Sequence, residues 1–200
     1  RELSNHGYRN DPHGPPARFL RDIERNGRTF IVKIDLLTST DEGGTAGHRV
    51  VQGLPIWCAG GIDVALQHSV TTTVSGPLPR GGGNSVQVRV ASAAALIVMK
   101  GIALDERLKE KDAYDLYYCL RHFPEGIPAL AKQLRPIASN PTVSKALSCL
   151  RQKFSTIDSI GPVWAARIVE ANGGDYEITR RDAFERAKLL LDSLDIPVVG

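Results

Sequence analysis

A change in the spacing of apolar residues near residue 91 constrains this fold more than any other feature of the chain. Before it, apolar side chains recur at every second position, which is the spacing of a strand with one buried face. From Ala91 onward they recur at about 3.6 residues, which is the spacing of a helix. A chain in which strands come first and helices follow is predicted to be α+β, with the sheet segregated. We therefore expect two parts, 1–90 and 91–200, without a flexible linker.

Two hairpins are predicted in the first part. Asn26-Gly27 separates the apolar runs 17–24 and 29–37, and this pair is a strong hairpin signal because both residues tolerate positive φ. A second pair of strands is predicted at 71–74 and 85–90, joined through a loop at 79–84. The stretch 38–61 is rich in glycine and polar residues, and we expect it to be an irregular connection.

Six helices are predicted in the second part. The first is apolar nearly all round, which indicates a helix that is buried on most sides. Asn140-Pro141 is typical of a helix start, because Asn caps the helix and Pro is tolerated in its first turn. The predicted helices cover residues 91–104, 112–122, 127–134, 141–154, 162–171 and 180–194.

Composition narrows the class of protein. A formal net charge of +3 over 200 residues permits an anionic partner, but is weaker than the strongly basic balance that by itself indicates a nucleic-acid-binding protein. Cys58, Cys119 and Cys149 are unclustered and lack C-x-x-C spacing, which favours reduced thiols in the cytoplasm over a disulfide framework or a zinc site. The longest apolar run is short and interrupted by Lys100, so we expect no signal peptide and no membrane partner.

A lysine inside the first predicted helix is the first clue to function. An ammonium group in an apolar helix is costly unless an anion neutralises it, and for Lys100 that anion is an internal carboxylate or a bound phosphate. Asp112 and Asp115 are three residues apart and share a face of the next helix. Asp112 either pairs with Lys100 and orients it toward a phosphate, or only charges the first turn of its own helix. A pair with Lys111 at i,i+4 fully explains Asp115.

Asp35 is the other candidate carboxylate. Within a predicted strand it is explained as an ordinary edge residue that faces solvent or pairs with Lys33. Its apolar neighbours instead favour a position that requires a buried partner or a metal ion. Magnesium binds through one or two carboxylates plus substrate phosphates, so Asp35 alone is an incomplete magnesium site.

The segments Val98-Met99-Lys100-Gly101 and Lys109-Glu110-Lys111-Asp112-Ala113-Tyr114-Asp115-Leu116-Tyr117 together resemble the nucleotidyltransferase toxins of the abortive-infection type, the AbiEii/AbiGii-like family. The later segment Arg181-Asp182-Ala183-Phe184-Glu185-Arg186 resembles this family too. The resemblance implies a polymerase-β-like nucleotidyltransferase fold, represented here by the distal part of its sheet, followed by a helical domain. It implies a magnesium-dependent enzyme that transfers a nucleotide from a nucleoside triphosphate to an acceptor, in several members the 3′ end of transfer RNA. It also implies an antitoxin protein as a partner.

The resemblance assigns roles to five residues. Asp35 resembles the third metal-binding acid of the family, and Lys100 resembles the lysine that approaches the nucleotide phosphates. Asp112 resembles the acid of the K-D motif, which holds Lys100 or the nucleotide in place. Lys111 and Asp115 belong to the same nucleotide-binding block. The implied catalytic residues are thus Asp35, Lys100 and Asp112.

The chain also departs from the family. It contains no Gly-Ser dipeptide and no D-x-D pair. In family members the D-x-D pair supplies two of the three metal-binding carboxylates. The first residue is Arg1 and the only methionine is Met99, so we expect that Arg1 is not the natural start and that the catalytic segment precedes it. Two alternatives stay open. One is a non-catalytic remnant or helical module that binds RNA or an antitoxin, and the other is an α+β domain whose charges form surface salt bridges.

Overall fold

The computed structural model describes residues 2–40, 47–78 and 81–194. Strands dominate up to residue 91 and long helices follow, so the predicted α+β fold is confirmed. The described residues form two compact units. The first contains the residues up to Asp63 together with Thr71–Val90, and the second contains Val64–Val70 together with the residues from Ala91 onward.

The elements before residue 92 are short, and most of them are strands. They are α1 Glu2–Asn5, β1 Arg9–Asn10, β2 Arg18–Arg25, β3 Arg28–Asp35, β4 Leu37–Ser39, β5 Gly47–Val51, β6 Leu54–Ala59, α2 Ile62–Gln67, β7 Ser69–Pro77 and β8 Gly83–Ala91. They form three small sheets with the strand orders β1-β2-β3, β4-β6-β5 and β7-β8. Whether these sheets belong to a nucleotidyltransferase-type domain stays a prediction.

The first predicted hairpin is confirmed. Strands β2 and β3 are antiparallel, and Arg25 pairs with Arg28 across the two-residue turn. In that turn Asn26 has φ +52° and Gly27 has φ +69°, the left-handed values that this turn type needs. The register continues to the other end of the hairpin, where Arg18 lies opposite Asp35.

The expectation of an irregular connection at 38–61 is wrong for its described part. Strand β5 pairs antiparallel with β6, and β6 pairs parallel with β4. The β5–β6 hairpin closes through Gln52 at φ +51° and Gly53 at φ +77°. Residues 41–46 of this stretch lie outside the described residues. The other predicted strand pair, at 71–74 and 85–90, is confirmed as the longer strands β7 and β8, and Pro79 and Arg80 of its predicted loop are outside the described residues.

The six predicted helices are all confirmed. They are α3 Ala93–Arg107, α4 Glu110–His122, α5 Gly126–Leu134, α6 Pro141–Lys153, α7 Ile160–Ala171 and α8 Tyr176–Ser193. The Asn140 side chain caps α6 by accepting a hydrogen bond from the Thr142 backbone N–H at 2.9 Å. Among the described residues, no helix is both long enough and apolar enough to cross a membrane.

Helix α3 packs against α4, α5 and α6 in the helical core. Its side chains at Ala95, Ile97, Val98 and Leu104 are fully buried, and each large aliphatic side chain of this kind contributes about 1.5–3 kcal/mol. Gly101 allows α3 to approach α6 closely, because a Cβ atom there would lie only 2.9 Å from the carbonyl oxygen of Ala146. This packing fixes the position of α3, and with it the position of Lys100.

Candidate functional site

The candidate site lies at the turn between α3 and α4. Helix α3 ends at Arg107, Leu108 adopts a left-handed conformation with φ +49°, and Lys109 precedes the first residue of α4. A non-glycine residue rarely adopts positive φ, and here it reverses the chain within two residues. The reversal brings the last two turns of α3 beside the first turns of α4.

Asp112 is the anion at the centre of this turn. Its side chain is only 2% exposed. Oδ1 of Asp112 accepts a hydrogen bond from Lys100 Nζ at 2.9 Å. Nη2 of Arg107 donates to Oδ1 at 2.7 Å and to Oδ2 at 2.9 Å. Two cations therefore compensate one buried carboxylate, which removes most of the cost of burying it.

Asp115 provides the second carboxylate. Lys100 Nζ lies 2.6 Å from Asp115 Oδ2, so the ammonium group bridges the two aspartates. Lys111 Nζ, one turn earlier on α4, donates to the two Asp115 oxygens at 2.9 and 3.0 Å. We call Lys100, Arg107, Lys111, Asp112 and Asp115 the α3–α4 charge cluster.

Burial and ion pairing have opposite effects on the pKa of Lys100 and on that of Asp115. Burial lowers the pKa of Lys100, but hydrogen bonds to Asp115 and Asp112 outweigh it, so this pKa lies above its ordinary value. Burial raises the pKa of Asp115, but hydrogen bonds from Lys100 and Lys111 outweigh it, so this pKa lies below its ordinary value. Both groups are therefore charged at neutral pH.

The cluster carries a formal charge of +1, since three cations face two carboxylates. The excess charge is accessible, because the Lys111 side chain is 74% exposed and the Arg107 side chain is 47% exposed. Lys100 is more enclosed, with 21% of its side chain exposed. An exposed arginine and an exposed lysine next to an enclosed ammonium group can bind an anion such as a phosphate.

Asp35 occupies the last position of β3, in the first unit, whereas the charge cluster belongs to the second. Arg18 on β2 binds it through two parallel hydrogen bonds, from Nε to Oδ1 at 2.7 Å and from Nη2 to Oδ2 at 3.0 Å. The hydrogen bond from Arg18 lowers the pKa of Asp35, and the charge of Lys33 adds to this effect. The Asp35 side chain is 42% exposed, so the expectation that it needs a buried partner is wrong. Phe30 and Ile31, earlier on the same strand, are exposed too, and the adjacent Ile34 and Leu36 are only partly buried, so an apolar strand sequence here does not mean a buried strand.

The three candidate aspartates already bind cationic side chains. Both oxygens of Asp35 bind the Arg18 guanidinium group, while Asp112 and Asp115 bind cations. Within the described ranges, His, Cys, Asp and Glu side chains form no group of three that could hold a metal ion. A magnesium ion at Asp35 would have to displace Arg18, so the metal-binding role of Asp35 stays a prediction.

The structure brings together four of the five residues that the sequence singled out: Lys100, Lys111, Asp112 and Asp115. The predicted pairs Lys100–Asp112 and Lys111–Asp115 are both present. Sequence reasoning missed Arg107. Its signal was its position, seven residues after Lys100, which places both side chains on the same face of one helix.

A second polar network joins α4 to α8. The Tyr117 hydroxyl donates to Asp182 Oδ2 at 2.9 Å, and Arg186 Nε donates to both Asp182 oxygens at 2.7 and 2.8 Å. Arg121 donates to the Tyr117 hydroxyl oxygen. An open cavity of about 450 Å³ lies beside this network, lined by three arginines and three acidic residues. Because these charges balance, we assign no ligand to the cavity.

The fold and the charge cluster thus define an α+β protein with an accessible cationic site between the two helices α3 and α4. Comparison of the chain with protein-family models, with curated proteins and with solved structures finds no match in any of the three.

Proposed function

We propose that the helical unit provides the nucleotide-phosphate contacts of a nucleotidyltransferase, an enzyme that transfers a nucleotide from a nucleoside triphosphate to an acceptor. The observation that carries the proposal is the position of Lys100, whose ammonium group is held between Asp112 and Asp115. The lysine and K-D-x-x-D-L sequence of this turn resembles the AbiEii/AbiGii-like toxins, in which such a lysine approaches the phosphates. That resemblance makes the 3′ end of transfer RNA the proposed acceptor, and an antitoxin the proposed protein partner.

The cluster suits a phosphate because its carboxylates position the cations without cancelling their total charge. Asp112 fixes Lys100 and Arg107, and Asp115 fixes Lys100 and Lys111. A triphosphate that approaches the exposed side of Lys111 and Arg107 meets donors that are already oriented. Donors held in place stabilise the charge that develops during phosphoryl transfer, because they need no reorganisation. We assign magnesium coordination to none of the described residues.

A binding experiment tests the phosphate contacts directly. The chain is titrated calorimetrically with each of the four nucleoside triphosphates in the presence of magnesium. Lys100→Met and Lys111→Met should each weaken binding about tenfold, which corresponds to about 1.4 kcal/mol. Lys145→Met is the matched control, since Lys145 lies on α6 and pairs with Glu106. If no triphosphate binds below millimolar concentration, or if all three variants bind alike, the proposed phosphate site is wrong.

A transfer experiment tests the reaction. The protein as its gene encodes it is incubated with labelled triphosphates and total RNA, and label in RNA is measured. Lys100→Ala should abolish transfer while the fold persists, because Asp112 keeps Arg107 and Asp115 keeps Lys111 as partners. Transfer that survives in a folded Lys100→Ala variant would remove this lysine from the mechanism.

A second candidate function, RNA binding without catalysis, is favoured by a row of aromatic rings along α4. The ring centroids of Tyr114 and Tyr118 are 6.0 Å apart, and those of Tyr118 and His122 are 4.4 Å apart. Tyr118 is half exposed, and exposed aromatic rings near cations can stack on unpaired bases. Tyr118→Ala should then weaken the binding of transfer RNA but spare triphosphate binding, whereas Tyr118→Phe should behave like the parent chain.

A further inference from the structure

Strand β3 forms an open edge of its sheet. In the strand order β1-β2-β3 it pairs with β2 alone among the described strands. It has 8 residues and no proline, and its register with β2 is unbroken from end to end, so no bulge interrupts it. The opposite edge of the sheet is β1, which has only 2 residues. A long, regular edge strand is a template for pairing with a further strand, and a very short one is protected from it.

The backbone groups of β3 alternate in direction. The backbone N–H of Leu36, directly after the strand, donates to the carbonyl oxygen of Ala17 at 3.0 Å, so even-numbered residues point their backbone groups toward β2. The N–H and C=O groups of Thr29, Ile31 and Lys33 therefore point away from β2. Within the described part of the chain, no backbone hydrogen bond outside the β2–β3 ladder involves these three residues. They are free to pair with a new strand.

The side chains along this edge are largely apolar and exposed. Phe30 is 51% exposed and Ile31 is 56% exposed, and the two lie on opposite faces of the sheet. Val32 and Ile34 are only partly buried. Natural proteins usually protect such an edge, because apolar side chains and free backbone groups together favour pairing with another chain. The partner that matches both features is a second extended apolar strand.

Two charges on the β2–β3 hairpin have no ion pair among the described residues. Glu24 on β2 accepts a hydrogen bond from the Thr29 hydroxyl and binds no cation. The charge of Lys33 acts on Asp35, but both Asp35 oxygens bind Arg18 instead. Glu24 lies opposite Thr29, four residues from Lys33, so both charges share one face and lie toward opposite ends of the hairpin. An antiparallel second copy brings each Lys33 beside a Glu24.

Symmetry limits how two β3 strands can pair. In an antiparallel pair related by a two-fold axis, one residue lies opposite its own copy. With Ile31 at the axis, Lys33 of the second copy lies opposite Thr29, and Glu24 is the next residue in the same row. Neighbouring strands are about 4.8 Å apart, so the two side chains have to span roughly 10 Å, which a lysine and a glutamate can do together. The two-fold axis produces this pair twice.

Other registers suit the charges less. With Val32 at the axis, Lys33 of the second copy lies opposite Ile31 and beside Asp22, which Arg9 already binds at 2.8 Å. With Lys33 at the axis, two ammonium groups lie opposite each other, which is destabilising. A centre nearer to the turn shortens the paired segment. The charges therefore favour the register centred on Ile31.

We propose that β3 pairs with β3 of a second copy of this chain, antiparallel and centred on Ile31. The pairing makes about six backbone hydrogen bonds, two between the Ile31 residues and two at each pair of Thr29 with Lys33. It also places the two Ile31 side chains together and each Phe30 beside a Val32, which are favourable cross-strand pairs.

The joined sheet has the short β1 strands at both of its edges, so the assembly ends at two chains. The contact is smaller than a standard protein–protein interface, and we expect a Kd of roughly 10–300 μM. The dimer does not depend on the proposed nucleotide site.

Sedimentation velocity of the full chain tests the dimer. Between about 5 and 500 μM, the weight-average mass should rise from near that of one chain toward that of two. Ile31→Lys puts two ammonium groups opposite each other at the axis and should raise Kd at least about tenfold. Leu189→Lys is the control, because Leu189 lies on α8 and is similarly exposed. A parent chain that stays monomeric at the highest concentration overturns the proposal, as does equal association of folded Ile31→Lys and Leu189→Lys.

A charge exchange tests the pair of Lys33 with Glu24 and does not depend on Ile31→Lys folding. Lys33→Glu puts two carboxylates beside each other in the dimer, and Glu24→Lys puts two ammonium groups there, so each variant alone should associate at least about tenfold more weakly than the parent. An equimolar mixture of the two variants should regain the parent's affinity, because each chain then supplies the charge that the other lacks. A mixture that associates no better than the separate variants rules out this contact.

Disulfide formation checks the register. With Ile31 at the axis, the two Ile31 Cα atoms are about 5.5 Å apart, within the range that a disulfide spans, whereas the two Val32 residues are offset along the strands and lie beyond it. Under copper phenanthroline oxidation, Ile31→Cys should form a disulfide-linked dimer at least about tenfold faster than Val32→Cys. The parent chain gives the background from its three native cysteines. Faster linkage of Val32→Cys would overturn the proposed register.

Discussion

The ammonium group of Lys100 and the carboxylate of Asp112 form a hydrogen-bonded ion pair across the α3–α4 turn, with 2.9 Å between Nζ and Oδ1. The pair is unequal, because Asp112 is almost completely buried while Lys100 keeps part of its side chain in solvent. Asp112 also has a second partner in Arg107, and Lys100 has a second partner in Asp115. Loss of Lys100 leaves Asp112 paired with Arg107 and Asp115 paired with Lys111, whereas loss of Asp112 takes a carboxylate partner from two cations at once.

Asp112→Asn should therefore be the most destabilising single change in the cluster. The substitution keeps the size of the side chain but leaves Lys100 and Arg107 with one carboxylate fewer. Breaking a buried pair from one side costs about 3–5 kcal/mol, and we expect about 2–3 kcal/mol because both cations are partly exposed. Urea unfolding of Asp112→Asn and Lys100→Met measures the difference. The prediction is contradicted if Lys100→Met, whose partner Asp112 keeps Arg107, proves equally destabilising.

The pH dependence of stability should differ between the parent chain and Asp115→Asn. The pKa of Asp115 is lowered in the folded state, so its contribution is present above the ordinary Asp value of about 3.9 and is lost as pH falls below it. The pKa of Lys100 is raised, so its contribution is retained up to about pH 10.4 and is lost above that value. The difference in unfolding free energy between the two proteins should be constant from about pH 5 to 9 and should shrink below pH 4. A difference that grows on acidification would contradict this assignment.

The fold was largely predictable where a short sequence, such as a pair of residues, is typical of a single local structure. Asn26-Gly27 predicts its hairpin because the turn requires positive φ at both positions. Asn140-Pro141 predicts the start of α6 for an equally local reason. The β5–β6 hairpin was missed because its turn begins with Gln52, which is not a typical turn residue, although Gly53 follows it.

The candidate site was predictable in part. Lys100 and Asp112 could be paired because a lysine in a buried helix requires an anion, and Asp112 lies in the first turn of the next helix. Arg107 was missed because an arginine at the end of a helix has several common roles, and only the Leu108 turn directs it to Asp112. Asp35 was misjudged because apolar neighbours indicate burial only when a second layer covers the strand.

Gln52→Asn should stabilise the protein by about 0.5 kcal/mol. Gln52 has φ +51°, and Asn adopts this left-handed conformation at a lower free-energy cost than other non-glycine residues. The converse change, Gly53→Ala, should destabilise by about 1 kcal/mol, because it puts a Cβ atom on a residue with φ +77°. Thermal unfolding of both variants checks the turn. Shifts of the same sign for the two changes would mean that the turn has a different conformation in solution.

Gly101→Ala should destabilise the protein although Ala is the better helix former. The gain in helix propensity is about 1 kcal/mol. The new Cβ atom would lie 2.9 Å from the carbonyl oxygen of Ala146, and backbone atoms in a packed core cannot move aside readily. Overpacking costs about 1–3 kcal/mol, so we expect a net loss of up to about 2 kcal/mol in urea unfolding. A gain in stability would show that α3 and α6 are not packed this closely.

The reactivity of the Cys119 thiol, which lies on α4 together with Asp115, should depend on the charge of Asp115. Burial raises the pKa of its thiol to about 11, and the nearby charge of Asp115 adds to this effect. The thiolate is the reactive form, so iodoacetamide at pH 8.5 should modify Cys119 at least about tenfold more slowly in the folded chain than in urea, even after allowing for the greater nucleophilicity of high-pKa thiolates. Asp115→Asn removes the neighbouring negative charge and should speed the reaction of the folded protein. The measurement uses chains in which Cys58 and Cys149 are replaced by serine, with Lys111→Met as the control that leaves Asp115 in place. Equal rates for the Asp115→Asn variant and its parent would mean that the Asp115 charge does not act on this thiol.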